Sequence, residues 1–382
     1  MTVNSPVKKR ISSIDILRGF VMLLMLVDHV RERFFLHMQV SDPLTIETTS
    51  SGLFFTRLSA HLCAPIFVFL TGLSAWLYAN PNNKPKRSPS GFLFKRGLFL
   101  ILIELTLVNF SWFGNYNNLY LQVIWAIGLS MICLSVLVKL PIRLILVIGL
   151  LIIFGHNLLT PISFENPDVG YIPWTILHDR GYLFTSDWFN IKISYPVLPW
   201  IGVIALGYSL GSLYSSKTSS KIRLKSLTIL GASCLFLLLI LRGFNIYGET
   251  LPWINYSNSI DSLKSFLNYT KYPPSLDFLL FGLGIGFLLL IVFEKFENKL
   301  TNAIKVLGSA PMFFYILHLY VLLLIYTVFV NLFGENKGDY FGFDHLYQIW
   351  IFSILLSIAL YFPTKIFARY KRKSKSKLIK YF

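Results

Sequence analysis

The chain carries charged and polar residues inside stretches that are otherwise apolar. Ser12-Ser13-Ile14-Asp15 is followed by Arg18, and the same run of Val, Leu, Met and Phe then reaches Asp28, His29, Arg31 and Glu32. His61 comes four residues before Pro65, and Glu104, Asp277 and His318 stand in later apolar runs. A histidine beside a carboxylate suits general-base catalysis near neutral pH. The carboxylate selects the tautomer and stabilises the imidazolium, while the other ring nitrogen takes a proton from an amine or hydroxyl. An ionisable side chain within a membrane span costs about 2.5–3.5 kcal/mol on insertion scales, so each one is a functional candidate.

Spacing suggests how these groups meet. Ser12 as N-cap with Asp15 near N3 resembles a capping box, and Arg18 lies three residues after Asp15, within pairing reach on one helical face. That pair is either a clamp on the helix start or a cationic site for a phosphate-bearing donor. Asp28 lies thirteen residues beyond Asp15, about 20 Å along a helix axis. If the next span runs back antiparallel from about residue 53, His61 lies about 12 Å into it, level with Asp28 and His29. We therefore expect His29, His61 and Asp28 to converge, with Arg31 as electrostatic support and either histidine as the base. The plainer alternative for each histidine is a packing role with a backbone carbonyl as partner. His318 lines the same cavity or bonds a neighbouring helix. Glu104 reads as a helix–helix polar contact or as part of the site. No HExxH, phosphate-binding loop, GxSxG or serine-triad signature occurs.

The elements that must hold these groups are membrane helices. Of 382 residues, 54% are hydrophobic and 14% charged, against about 25% charged in a soluble domain. The mean hydropathy is +0.61. Disordered, disulfide-scaffold and ordinary cytosolic classes are excluded. Cys63, Cys133 and Cys234 lie in apolar segments without metal-ligand spacing and read as small hydrophobes. A bilayer core about 30 Å thick takes about 20 apolar helical residues. Ten segments qualify: 12–34, 53–79, 95–113, 119–138, 142–160, 195–214, 226–244, 274–294, 306–332 and 345–367. The expected fold is all-α, a polytopic bundle of about ten transmembrane helices, with residues 1–367 as one domain and 368–382 as a basic cytoplasmic tail. Gly282, Gly284 and Gly286 fall within a span and predict close helix packing. The loop 161–194, rich in aromatic residues, Pro and Asp, is expected to be an interfacial or re-entrant lid.

The formal net charge of +17 follows topology and not a nucleic-acid footprint. The stretches 1–10 (including Lys8-Lys9-Arg10), 80–96, 139–143, 215–225, 295–305 and 365–382 hold 25 of the 35 Lys and Arg. The opposite connections hold 9, with Arg18 inside the first span. Lys and Arg accumulate on the cytoplasmic side, which puts both termini there. The run from Arg369 to Lys375 reads as a membrane-surface anchor for anionic lipid.

The residues also resemble a known family. Ser13-Ile14-Asp15-Ile16-Leu17-Arg18-Gly19 followed by Asp28-His29 is similar to the opening of a bacterial membrane family related to the catalytic domain of heparan-alpha-glucosaminide N-acetyltransferase, in the transmembrane acyltransferase superfamily. The segments from His61 to Gly72, Tyr195 to Gly202, Lys271 to Leu276 and Pro311 to His318 match in family order and span most of the chain.

The resemblance implies a multi-pass enzyme of the cell's inner (plasma) membrane. It would pass an acetyl or other acyl group from cytoplasmic acetyl-CoA to an amine or hydroxyl of an extracytoplasmic glycan or amino sugar, through a histidine and without a metal. Arg18, Lys95 and Arg96, with His318, are the candidates for donor binding; the plainer reading of Lys95 and Arg96 is the positive flank of a span. Membrane lipids are expected partners, nucleic acid is not, and a homodimer is allowed. A different class, a proton-coupled transporter with Asp28, His29 and Glu104 as relay, uses the same buried groups, but no inverted repeat supports it.

Overall fold

The computed structural model describes residues 12–82, 84–376, 379, 381 and 382; Lys8-Lys9-Arg10 lies outside them. In chain order the helices are α1 (Ser13–Phe34), α2 (Ser51–Ser59), α3 (Cys63–Ala79), α4 (Ser90–Ile103), α5 (Asn109–Phe113), α6 (Val123–Leu137), α7 (Ile142–Gly155) and α8 (Tyr171–Leu177). They continue as α9 (Leu198–Leu210), α10 (Ser220–Gly243), α11 (Ser259–Phe266), α12 (Leu276–Lys295), α13 (Lys299–Ser309), α14 (Pro311–Phe333) and α15 (Leu346–Lys373). The strands are β1 (Asn118–Leu121), β2 (Gly181–Thr185) and β3 (Asn190–Ile193).

Among the described residues six helical segments are long and apolar enough to cross a membrane: Ser51–Ala79, Ile142–Leu159, Ser220–Gly243, Leu276–Lys295, Pro311–Phe333 and Leu346–Lys373. Two shorter apolar helices, Val123–Leu137 and Leu198–Tyr214, fall in expected spans. The molecule is a mostly helical, multi-pass membrane protein.

Local chemistry sets the helix ends. Ser50, Ser219 and Ser275 cap α2, α10 and α12, each hydroxyl accepting from the backbone N–H three residues on. Pro311 opens α14, where its missing N–H costs nothing. Pro65 cannot donate to the carbonyl of His61 and crowds it; there the second span narrows to a 3-10 turn over Ala60–Leu62. The capping box expected at Ser12 does not form. Its hydroxyl makes no cap bond and turns to Glu297, while the Asp15–Arg18 ion pair does form, at 3.0 Å.

α1 is the central helix and packs on α3, α12, α13, α14 and α15. Its contact with α13 is backbone on backbone: a Cβ on Gly308 would stand 1.9 Å from the Asp15 carbonyl, and one on Gly19 would stand 2.1 Å from that of Ile304. Only glycine fits such a crossing. Gly282 and Gly286 seat α12 on Pro65 and Ile66, and Gly284 seats it on Cys234 and Leu235 of α10, as their spacing predicts.

The all-α expectation needs one correction. β1 pairs parallel with β3 (Asn118↔Asn190 to Leu121↔Ile193), and β2 pairs antiparallel with β3, giving the order β1-β3-β2. The buried side chains of Leu121, Ile193, Trp125, Val197 and Ile201 anchor this sheet to α6 and α9. The loop 161–194 is thus built from α8 and two strands. α15 runs past the expected boundary at 367/368 and ends at Lys373.

Candidate functional site

At its C-terminal end α1 presents Asp28, Arg31 and Glu32 on one face, at i, i+3 and i+4, and His29 about 100° around the axis. The two neighbours therefore face different partners. Asp28 Oδ1 accepts from Arg31 Nε at 3.0 Å, and Oδ2 accepts from Arg57 of α2 at 2.9 Å. Lys271 Nζ is 3.8 Å from the same oxygen. Arg31 also donates to Glu32 at 3.1 Å. Asp28, Arg31, Arg57 and Lys271 are buried, Glu32 is partly exposed, and the two carboxylates are set among three cations, so each buried charge has an opposite partner. Asp42, in the loop after α1, accepts the Lys271 backbone N–H at 3.1 Å. Burial pushes its carboxyl above the ordinary range, with Arg57 and Lys271 opposing.

His29 turns to α14. Its Nδ1 lies 2.7 Å from His318 Nε2. The ring centroids are 5.0 Å apart with planes 18° from parallel, the geometry of two nearly coplanar rings joined nitrogen to nitrogen. His318 Nδ1 faces the carbonyl of Phe314 at 2.8 Å and must carry a proton to bond it. His318 Nε2 is then the acceptor, and His29 Nδ1–H the donor. Assigned from this network, the tautomers leave His29 Nε2 with a lone pair, and no described residue bonds it. Trp112 holds the His29 ring from the side, centroids 5.1 Å apart at 82°. Arg33 fixes Trp112 in turn, donating to the carbonyls of Ser111 and Trp112 and lying over the indole.

The three members of the expected trio share no hydrogen bond with one another. His61 is 1% exposed, sits in the turn before α3 and points its ring at Phe278, centroids 5.1 Å apart. Neither of its nitrogens is hydrogen-bonded among the described residues. Asp28, expected to orient His29, spends its oxygens on Arg31 and Arg57, and His318 takes the orienting place. Depth along the helices predicts the shared level; rotation about the axis decides the partners.

A cavity of about 670 Å³ opens beside the N-terminal end of α1. Arg18, Arg96, Lys305, Lys365, Arg369, Lys371 and Arg372 line it, against one carboxylate, Asp15. Further in, its wall is apolar, with Met25, Leu100, Ile127, Met131 and Met312, and it includes Tyr315. The Tyr315 ring lies 6.0 Å from that of His29 and 5.5 Å from that of His318, edge-on to each. Arg18 and His29 are eleven residues apart, about 16 Å along α1. Arg18 is held by Asp15, the Gly308 carbonyl and Ser74. A second cavity of about 740 Å³, rich in Ser and Thr hydroxyls, shares Asp15, Arg18, Ser74 and Tyr78 with the first.

Of the residues expected to bind a donor, Arg18 and Arg96 line the cavity. Lys95 is exposed and outside its lining, and His318 sits one turn beyond Tyr315. The run from Arg369, read as a lipid anchor, contributes three cations to the lining, Arg369, Lys371 and Arg372, and Lys365 of the same helix adds a fourth. Sequence reasoning passed over Arg57 and Tyr315. A lone arginine behind a Ser cap and a tyrosine three residues before His318 were the available signals. Glu104 is buried, and its carboxylate accepts the N–H groups of Gln122 and Trp125, satisfying the open N-terminus of α6. Among the described residues no three His, Cys, Asp or Glu side chains gather to hold a metal ion.

Towards the other end of the site Tyr272 is flanked by Arg180 at 5.1 Å and Lys271 at 5.1 Å from its ring, and its hydroxyl meets that of Tyr195 at 3.2 Å. The 161–194 segment is tied down behind it: His178 faces the His156 carbonyl at 3.0 Å, and His156 faces that of Pro274 at 2.8 Å.

Comparison with curated proteins gives no match. Comparison with protein families gives one, over residues 10–241, which contain α1, α2, Arg57, His61 and Arg96 but not His318 or Tyr315. That match covers well over half of the chain, and with the membrane helices in place the chain belongs to the heparan-alpha-glucosaminide N-acetyltransferase catalytic family.

Proposed function

We propose that the protein transfers an acetyl group from acetyl-CoA to an amine or hydroxyl of an extracytoplasmic glycan, with His29 Nε2 as general base. One observation carries this reading: the basic-mouthed cavity leads along α1 to Tyr315, whose ring abuts the His29–His318 pair. The cations at the mouth suit the phosphates of a coenzyme A, and the apolar inner wall suits its pantetheine arm. His29 Nε2 takes the acceptor's proton as the nucleophile attacks the thioester carbonyl. The imidazolium so formed keeps its Nδ1–H bond to His318 and lies next to the Asp28 carboxylate. Collapse breaks the C–S bond, and the same proton passes to the departing thiolate.

The orientation supported by the Lys and Arg distribution puts the cavity mouth in the cytoplasm. The mouth carries side chains from three of the cation-rich connections: Arg96, Lys305 and the end of α15. In this reading ten segments cross the inner membrane, both termini are cytoplasmic, and the Tyr272 end, overhung by the 161–194 segment, receives the acceptor. The transporter reading draws less support. Glu104 is engaged by the α6 backbone and Asp28 by two arginines, so neither carboxylate is placed to pass a proton on.

The test is purified protein with radiolabelled acetyl-CoA and a panel of amino sugars. Label in the sugar, lost in His29→Ala, supports the assignment; equal transfer by His29→Ala removes it.

A further inference from the structure

We infer that Tyr315 is the oxyanion-stabilising residue of this reaction: its phenolic O–H donates to the thioester carbonyl oxygen at the inner end of the donor cavity. The inference rests on the donor reading above and adds to it the group that activates the carbonyl.

Three features of the structure converge on this side chain. Tyr315 lines the cavity, and it abuts His29, so it stands where the donor's path reaches the base. It is 5% exposed and lines the cavity, and its Oη is hydrogen-bonded to no other described residue. Its position is set from both sides. Pro311 starts α14 at a defined residue, and Tyr315 and His318 are i and i+3 on one face, so the turn that aims His318 at His29 also aims the phenol beside it. A phenylalanine would fill the same space among these rings; the hydroxyl is what packing does not explain.

The chemistry is balanced without a further reactant. As the acceptor's nitrogen or oxygen bonds to the carbonyl carbon, the C=O electron pair moves onto oxygen, and the Tyr315 O–H hydrogen bond strengthens without giving up its proton. His29 holds the acceptor's proton meanwhile. When the carbonyl re-forms, the C–S bond breaks, and His29 protonates the thiolate. A donor preorganised in a water-poor pocket stabilises charge where it develops, and removing one such donor typically costs on the order of 10²–10³-fold in turnover.

The experiment compares wild type with Tyr315→Phe, which keeps the ring. Acetyl-CoA affinity is measured by calorimetry, turnover with the best acceptor of the panel, and the carbonyl stretch of bound ¹³C-acetyl-CoA by difference infrared spectroscopy. The expected result is affinity unchanged within about twofold, turnover lowered on the order of 10²-fold, and a wild-type carbonyl band at lower frequency than in water that returns towards the aqueous position in the variant. Unchanged affinity also shows that the variant is folded. If the variant does not bind, Tyr315→Trp and the infrared band of the wild type alone carry the test: a wild-type band at the aqueous position overturns the assignment. Normal binding with unaltered turnover and band in Tyr315→Phe overturns it while leaving the donor site standing. Failure of the wild type to bind acetyl-CoA overturns both.

Discussion

His29 Nδ1 lies 2.7 Å from His318 Nε2 across 289 residues of chain, and the carbonyl of Phe314 on the far side of His318 dictates which way the protons run. In the proposed mechanism His318 orients His29, in the place where the sequence led us to expect a carboxylate. It keeps the basic nitrogen of His29 on the side away from α14. His29→Ala should lower acetyl transfer by about 10²–10⁴-fold, the usual worth of a positioned base. His318→Ala should lower it less, because His29 keeps its place but loses its preferred tautomer. Turnover measured against pH should fall on acidification, as His29 Nε2 becomes protonated before the acceptor arrives. The acidic limb should move in His318→Ala and stay in place in a variant remote from the pair, such as Lys95→Ala.

The Asp28 cluster should behave as a structural unit. Asp28, Arg31 and Arg57 are buried, and Asp28→Ala leaves the two arginines with only the partly exposed Glu32 as counter-charge. Breaking a buried pair on one side costs about 3–5 kcal/mol, enough to lower the thermal-inactivation midpoint in detergent clearly. The double variant Asp28→Asn with Arg57→Met should recover part of that loss, as measured by the same midpoint.

Cations at the cavity mouth should affect donor binding and not the chemical step. Lys365→Ala and Arg369→Ala are each expected to raise KM for acetyl-CoA a few-fold, in keeping with about 0.2–1 kcal/mol for a solvent-reached ion pair, with kcat retained. The increase should shrink as salt is added, since salt screens the wild-type attraction too. Steady-state kinetics at two ionic strengths separate this from misfolding, which would lower kcat as well.

Glu104 discriminates the two classes of function. If its task is to cap α6, Glu104→Gln keeps one of the two accepting oxygens, enough for the shorter bond from Trp125, and retains acetyl transfer. Glu104→Ala strands buried N–H groups, at about 1–3 kcal/mol, and lowers the inactivation midpoint. A proton relay would fail in Glu104→Gln. Acetyl-transfer assays and pH-gradient flux in proteoliposomes on that one variant read both.

How far the sequence reached depends on which physical signal each feature leaves. The charges of α1 were legible because placing Asp15, Arg18, Asp28 and Arg31 in an apolar helix is costly, and the Asp15–Arg18 and Asp28–Arg31 pairs follow from i, i+3 spacing. The apolar segments were legible from composition, and helices occupy each of the segments expected as spans. Partners across helices were not. Asp28 and His29 differ by 100° of rotation, so a depth argument that brings His61 to their level cannot say that Asp28 faces Arg57 while His29 faces His318. The end of α15 looked like a solvated tail because a run of Lys and Arg leaves the same pattern whether it meets lipid or lines a cavity. The three strands are four or five residues long and only half buried, which leaves no alternation strong enough to read among loops.

The central claim is that the cavity delivers a thioester to His29, and the most direct measurement is the distance from the sulfur of bound coenzyme A to His29 Nε2 in a structure of the complex. The account predicts a sulfur beside Tyr315, within about 5 Å of His29, close to a reacting geometry, with the phosphates among Arg96, Lys305, Lys365 and Arg369. A coenzyme bound with its thiol in solvent, or in a cavity that does not reach Tyr315, would contradict it.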